Sequence, residues 1–150
     1  MTGTIQPYRG SYLLPSFESA VVADVMHPGV MSCPPATPLV TVAQTMATHH
    51  VHSVVVGGIG TDGVHGDHLV WRLISDMDLV RAAEVGIEGR TAEDVARTEA
   101  ITVDPSTLLS TAARLMDVHN TSHLIVLSGG APVGVLSSLG IAGAVAWGRA

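Results

Sequence analysis

The chain of 150 residues has no lysine and a single cysteine, and each shortage excludes a class of protein. Its seven basic residues are all arginines and are spread along the chain, whereas a nucleic-acid-binding surface needs them clustered. With a formal charge of −6, we expect no nucleic-acid partner. One or two arginines are still enough to hold a phosphate on a small ligand.

The single cysteine, Cys33, has no second cysteine with which to form an internal disulfide, so a reducing cytoplasm is the expected compartment. No apolar run reaches the roughly 20 residues that a membrane span needs. The first residues also lack the basic and then apolar stretches of a secretory signal. Hydrophobic residues make up 47% of the chain, which is enough to bury a sizeable core. Together these features predict a cytoplasmic protein with no membrane partner.

What the chain does contain is an internal repeat. Matching residues lie 70 positions apart early in each copy and 62 apart later. The matches include Asp24 with Asp94, Ala43 with Ala113, Met46 with Met116, His49 with His119, and Ile74-Ser75 with Leu136-Ser137. The offset changes within residues 57–68, which are rich in Gly, Asp and His and which we predict to be an enlarged loop.

Each copy predicts the same order of elements. The predicted elements are a short helix (20–26; 92–97), a short strand (30–33; 100–103), an amphipathic helix, two strands (53–56 with 69–74; 123–127 with 133–136) and a closing helix (76–85; 138–147). Thr37 and Thr107 are predicted to cap the amphipathic helices, and Thr91 to cap a short helix with Asp94 following. The sequence therefore predicts an α/β protein made of two βαββα repeats.

Two motifs in this repeat resemble the tandem CBS domain pair, a family named after cystathionine β-synthase. The first is an apolar strand ending in serine, then two variable residues and an acid: Leu73-Ile74-Ser75-Asp76-Met77-Asp78. The second is the strand start Val51-His52-Ser53-Val54-Val55-Val56. The resemblance implies two repeats packed sheet to sheet with pseudo-two-fold symmetry. The predicted parts are an N-terminal segment (1–19), repeat 1 (20–86) and repeat 2 (91–148).

The resemblance also implies clefts between the repeats that commonly bind AMP, ADP, ATP, S-adenosylmethionine or related compounds. The residues support this independently, because amide groups at a helix start favour phosphate and Ser75 adds a hydroxyl there. Asp78 can accept two hydrogen bonds from a ribose diol, each contributing roughly 1.5–3 kcal/mol. The alternative is that Ser75 and Asp76 only cap the helix and Asp78 complements its dipole.

The resemblance implies that one competent cleft is lined by both repeats. The first repeat supplies His52, Ser53, Ser75 and Asp78, and the second supplies Ala100, Ile101, Thr102, Thr121, Ser122 and His123. Backbone groups of Ile101 and Ser122 would read the adenine, and protonated His52 and His123 would meet the phosphates. Arg72 stands where the second copy has Gly134, and it either reaches phosphate or lies on the solvent side of an edge strand.

The second cleft is expected to be weak, vacant or altered in specificity. Its motif reads Ser137-Ser138-Leu139-Gly140, so Gly140 stands where the first copy has Asp78, and a glycine cannot hold a ribose diol. Met31 and Ser32 are the other residues predicted for this degenerate site. We therefore expect about one nucleotide per chain.

These observations predict a regulatory ligand sensor without enzymatic activity. No nucleophile or acid–base pair converges in the sequence, and no cysteine or carboxylate completes a zinc set with His49, His50 and His52, so no metal and no required cofactor are expected. The alanine- and valine-rich helices at the ends of each copy predict a homodimer, since family members often pair into flat discs, with or without a further protein partner. The alternative is a ligand-free dimeric module that binds another protein.

Overall fold

A computed structural model describes residues 16–62, 66–96 and 99–148. The helices are α1 (Val22–Val25), α2 (Leu39–His49), α3 (Asp76–Val85), α4 (Ala92–Val95), α5 (Leu109–His119) and α6 (Ser138–Trp147). The strands are β1 (His27–Pro28), β2 (Ser32–Cys33), β3 (Ser53–Asp62), β4 (Gly66–Ser75), β5 (Thr102–Val103), β6 (His123–Ser128) and β7 (Ala131–Ser137). The predicted mixed α/β class is confirmed. Most of the predicted N-terminal segment (1–19) lies outside the described residues.

The chain divides into two compact units that exchange their short helices. The central unit comprises residues 30–100, and the terminal unit combines the described residues 16–29 with 101–148. Helix α1, which opens the first copy, therefore belongs with the second copy, and α4, which opens the second copy, belongs with the first. No helix among the described residues is long and apolar enough to cross a lipid bilayer.

The central unit is built on a three-stranded sheet in the order β2-β3-β4. Strand β2 runs parallel to β3, and β3 pairs antiparallel with β4. One face of α2 packs on this sheet, because its apolar residues recur at helical spacing. The buried residues of this core include Leu39, Val42 and Met46 of the helix and Val54, Val56 and Ile74 of the strands.

The terminal unit has a four-stranded sheet in the order β1-β7-β6-β5. Strand β1 was not predicted, and it pairs antiparallel with β7 so that His27 lies opposite Val135 and Pro28 opposite Gly134. Helix α5 repeats the packing of α2. The buried residues of this core include Leu109, Ala112 and Met116 of the helix and Leu124, Val126 and Leu136 of the strands.

The prediction of a loop at residues 57–68 was wrong, since β3 runs on to Asp62 and β4 begins at Gly66. The strands form one long hairpin whose register is unbroken where it is described, residues 63–65 lying outside the described part. Gly57 on β3 leaves room for the side chain of Trp71 on β4. A Cβ atom at Gly57 would lie 2.8 Å from the ring of Trp71, its partner on β4, so the indole lies across a bare backbone.

The predicted caps at Thr37 and Thr107 were also wrong, because neither residue occupies the N-cap position of its helix. The first backbone amides of these helices donate instead to carbonyl oxygens, Leu39 to Arg90 and Leu109 to Ala20, each at 2.9 Å. A neighbouring segment thus supplies the acceptor that a side-chain cap would otherwise provide. The cap at Thr91 is confirmed, since its backbone N–H donates to Asp94 Oδ2 at 2.7 Å.

Candidate functional site

The site is organised where β4 turns into α3. Ser75 is the N-cap residue of α3, and its Oγ accepts a hydrogen bond from the Asp78 backbone N–H at 3.2 Å. Asp78 Oδ2 accepts one in return from the Ser75 backbone N–H at 2.8 Å. This reciprocal capping box satisfies two amide groups at the helix start and holds the Asp78 side chain in one orientation.

Asp78 retains acceptor capacity beyond its role as a cap. Its other oxygen, Oδ1, has a long contact of 3.4 Å with Arg81 Nη1, and the Asp78 side chain is 32% exposed. A carboxylate offers about four lone-pair sites, more than these contacts use. Capping and ribose binding are therefore compatible at this residue.

Sequence reasoning missed a histidine–carboxylate pair beside the capping box. His52 Nδ1 lies 3.0 Å from Asp76 Oδ2, and the two side chains are 75% and 54% exposed. The Asp76 backbone N–H also donates to the His52 carbonyl at 3.0 Å. Ser53 lies opposite Ser75 in the hairpin register, so the residues just beyond that pair become neighbours. Knowing the register would have revealed the pair.

Glu99 and Ala100 lie beside β4, the strand that contains Arg72. The backbone of Arg72 forms an isolated antiparallel bridge with Glu99, and the Ala100 N–H donates to the Trp71 carbonyl at 2.8 Å. The segment that carries Ala100 therefore borders the strand that carries Ser75 at its end. Arg72 is half-buried, and its contact with phosphate stays a prediction.

Met31 and Ser32 were predicted for the degenerate site. They lie at the other edge of this sheet, where Ser32 begins β2. The Met31 carbonyl accepts from the Val55 N–H at 2.8 Å, and Ser32 pairs with Val55 in the register of β2 and β3. Cys33 follows them, and burial raises the pKa of its thiol, against a hydrogen bond with Thr37 that lowers it. A raised pKa disfavours the thiolate, which agrees with an unreactive structural thiol.

In the terminal unit, Thr121, Ser122 and His123 form the turn into β6. Ser122 Oγ lies 3.0 Å from His123 Nδ1, and Thr121 Oγ1 donates to the His123 carbonyl at 3.1 Å. The Ser122 carbonyl accepts from the Ser138 N–H at 2.9 Å, which joins this turn to the start of α6. The structure thus brings these predicted residues together within their own unit.

The two backbone positions predicted to read adenine already make hydrogen bonds. The Ile101 carbonyl accepts from the Ile125 N–H at 3.1 Å, just before Thr102 in β5, and the Ser122 carbonyl is engaged by Ser138. A carbonyl oxygen has two lone pairs, so one such hydrogen bond does not exclude a second one to a ligand.

Gly140 has a structural reason to be glycine. Ser137 Oγ accepts from the Gly140 N–H at 3.3 Å, as Ser75 Oγ does from the Asp78 N–H in the first copy. Gly140 has no carboxylate to accept from the Ser137 N–H in return. A Cβ atom at Gly140 would lie 3.1 Å from the Val25 carbonyl oxygen. The missing acid of the second copy therefore coincides with close packing of α1 on α6.

No three His, Cys, Asp or Glu side chains group as metal ligands in the part of the chain that the structure describes. The histidine at position 49 uses Nδ1 on its own helix, 3.0 Å from the Thr45 carbonyl.

Comparison with known proteins identifies relatives of this fold. The sequence profile described as CBS domain matches twice, at residues 22–84 and 92–146. No curated protein matches the chain in sequence.

Solved structures that resemble the chain share 15–20% sequence identity with it in the three cases described here. The CBS domain pair of protein MJ0100, in complex with 5′-methylthioadenosine and S-adenosyl-L-methionine, has a TM-score of 0.67 at 20% identity and covers 82% of this chain and 97% of its own. A CBS-domain containing protein from Agrobacterium tumefaciens has a TM-score of 0.66 at 18% identity, covering 83% and 92%. The hexameric CBS-CP12 protein from bloom-forming cyanobacteria has 0.70 at 15%, covering 82% and 69%.

Proposed function

Because the chain belongs to the CBS domain family and carries two such domains in tandem, we propose that it is a regulatory module that binds an adenine nucleotide. The observation that carries the proposal is Asp78. Its Oδ2 is fixed by the capping box, while its Oδ1 has, among the described residues, only the long contact with Arg81. A carboxylate held in this way is pre-organised to accept the two hydroxyls of a ribose.

The surroundings of Asp78 suit the rest of a nucleotide. The amide groups at the start of α3 favour an anion, and His52 is well exposed beside them. The complex of the MJ0100 domain pair with 5′-methylthioadenosine and S-adenosyl-L-methionine supports an adenosyl ligand for a protein of this fold. We favour AMP, ADP or ATP over S-adenosylmethionine, and the adenine-reading roles of Ile101 and Ser122 stay predictions of the family resemblance.

The module is proposed to act by binding and not by catalysis. A ligand that prefers one packing of the protein shifts the equilibrium toward it, and this coupling free energy is what a partner can sense. Release of phosphate from ATP in a turnover assay would contradict this part of the proposal.

We expect thermal melting to identify the ligand among AMP, ADP, ATP, S-adenosylmethionine and NADH. A ligand at 100 times its Kd adds about 2.7 kcal/mol to the free energy of unfolding. At roughly 2–4 °C per kcal/mol for a chain of this length, the melting temperature should rise by about 5–10 °C. Calorimetry should then give about one nucleotide per chain, because Gly140 supplies no carboxylate. No shift with any of the five compounds would favour the ligand-free interaction module.

We also propose that the chain self-associates through α6. A helix that is apolar all round is normally buried. Helix α6 has no charged residue, yet the side chain of Leu139 is 75% exposed and that of Val145 is 65% exposed. The cyanobacterial relative is itself an oligomer, a hexamer.

We expect sedimentation to give a dimer at micromolar protein and Leu139→Glu to give a monomer. Val118→Glu, on an exposed position of α5, is the control. A wild-type protein that sediments only as a monomer would contradict the proposal.

A further inference from the structure

A depression of about 270 Å³ lies in the central unit, lined by residues of α3, α4 and the segment between them. Its wall includes the carboxylates of Asp78 and Asp94, the guanidinium groups of Arg81 and Arg90, and the apolar side chains of Ala82 and Val95. Among these, the proposed function uses only Asp78. Asp94 caps α4, and the proposed function gives no role to the guanidinium groups of Arg81 and Arg90.

The two carboxylates are held by helix starts. Asp78 belongs to the capping box of α3, and Asp94 Oδ2 accepts from the Thr91 backbone N–H at 2.7 Å and from Thr91 Oγ1 at 3.1 Å. The positive end of each helix partly compensates these negative charges. The wall therefore combines two carboxylates, each partly compensated by a helix start, with two guanidinium groups.

The two guanidinium groups keep most of their donors for a ligand. In the described contacts, Arg81 Nη1 makes only the 3.4 Å contact with Asp78, and Arg90 Nη1 donates to the Gly86 carbonyl at 3.1 Å. A guanidinium has five N–H donors in a planar fork, which matches the oxygens of a phosphate. The Arg81 side chain is 68% exposed and can turn from Asp78 toward a bound anion.

In the other copy of the repeat, small residues stand at the positions of these charged groups. The positions that match Asp78, Arg81 and Arg90 in the other copy are Gly140, Gly143 and Ala20. Gly143 and Ala20 are buried, and Gly140 approaches the Val25 carbonyl closely, so small residues close the corresponding space in the terminal unit. The central unit keeps this space open and lines it with charge.

We infer that Arg81 and Arg90 bind the phosphate of a phosphorylated ribose, and that Asp78 accepts hydrogen bonds from the hydroxyls of the same ribose. This unit therefore selects nucleotides over uncharged adenosyl compounds. The inference rests on the proposed function, because it places the ribose at Asp78. The 3.4 Å between Arg81 Nη1 and Asp78 Oδ1 brings a phosphate donor and a hydroxyl acceptor within the span of one ribose phosphate.

Calorimetry on the full chain with ADP, adenosine and inorganic pyrophosphate tests this inference. ADP should bind at least about tenfold more tightly than adenosine, the effect of one charge-assisted hydrogen bond or more. Arg81→Gln and Arg90→Gln should each weaken ADP binding about tenfold and leave adenosine binding unchanged. Arg114→Gln, an exposed arginine of α5, is the matched control and should change neither.

The three probes separate this inference from the proposed function. Equal affinity for ADP and adenosine, or equal weakening of both by the glutamine variants, would overturn the inference and leave the proposed function standing. Binding of pyrophosphate that needs both arginines, with no binding of ADP or adenosine, would overturn the adenosyl proposal and retain the phosphate site. No binding of any probe would overturn both. Melting curves check that each variant is folded, and Arg81→Lys and Arg90→Lys, which keep the charge, should recover part of the ADP affinity.

Discussion

Asp78→Ala is expected to weaken nucleotide binding at least about tenfold, because it removes one or two charge-assisted hydrogen bonds to the ribose. The same substitution should lower the free energy of unfolding by about 1 kcal/mol, the usual contribution of a helix cap. The two losses have separate causes, since Oδ1 is the atom proposed to meet the ligand and Oδ2 accepts from the Ser75 N–H at 2.8 Å. Calorimetry and denaturant unfolding measure them independently.

Asp24→Ala is the matched control for the cap. Asp24 Oδ2 accepts from the Val21 backbone N–H at 2.8 Å at the start of α1, and no ligand role is proposed for it. It should lower stability comparably and leave affinity unchanged. Asp76→Ala is a poorer control, because that carboxylate pairs with His52, itself a predicted ligand contact.

Asp78→Asn separates the two roles further. An asparagine oxygen can still accept from the Ser75 N–H, so most of the stability should return, whereas the lost charge should keep nucleotide affinity low. If Asp78→Ala and Asp24→Ala weakened binding equally, the loss would follow from instability and the ribose would be held elsewhere.

The elements that sequence reasoning placed well are those specified by local signals. The closing helices begin at Asp76 and Ser138 as predicted, because a serine at the end of each preceding strand supplies an N-cap oxygen. The buried faces of α2 and α5 follow from apolar residues at helical spacing. Two-fold repetition in the sequence then reinforces each assignment with a second copy.

The features that sequence reasoning missed depend on neighbours distant in the chain. Strand β1 is only two residues long and includes Pro28, so it has no alternating pattern and forms because β7 offers it an edge. In the extended hairpin Trp71 lies over Gly57, a contact that becomes visible only when the register is known. The pairing of His52 with Asp76, and the exchange of α1 and α4 between units, likewise require the register and the packing to be known.

Gly134 and Arg72 stand at the same strand position in the two copies, yet only Gly134 is pressed against a backbone. A Cβ atom at Gly134 would lie 2.7 Å from the His27 carbonyl oxygen and 2.9 Å from Met26 Sδ. The methionine can move, but the carbonyl belongs to β1, which pairs with β7 at this point. In the central unit the matching position holds a half-buried arginine, so this tight contact is particular to the second copy.

We therefore expect Gly134→Ala to lower the free energy of unfolding by about 1–3 kcal/mol, the usual result of overpacking. The melting temperature should fall by roughly 2–4 °C for each kcal/mol lost. Arg72→Ala is the control at the matching position: it shortens a half-buried side chain without overpacking the backbone, so it should cost less stability than Gly134→Ala. Nucleotide affinity of the folded variant should stay unchanged, because Gly134 is not among the residues proposed to contact the ligand. A Gly134→Ala protein that melts with the wild type would show that β1 yields at this contact, and the glycine would then need another explanation.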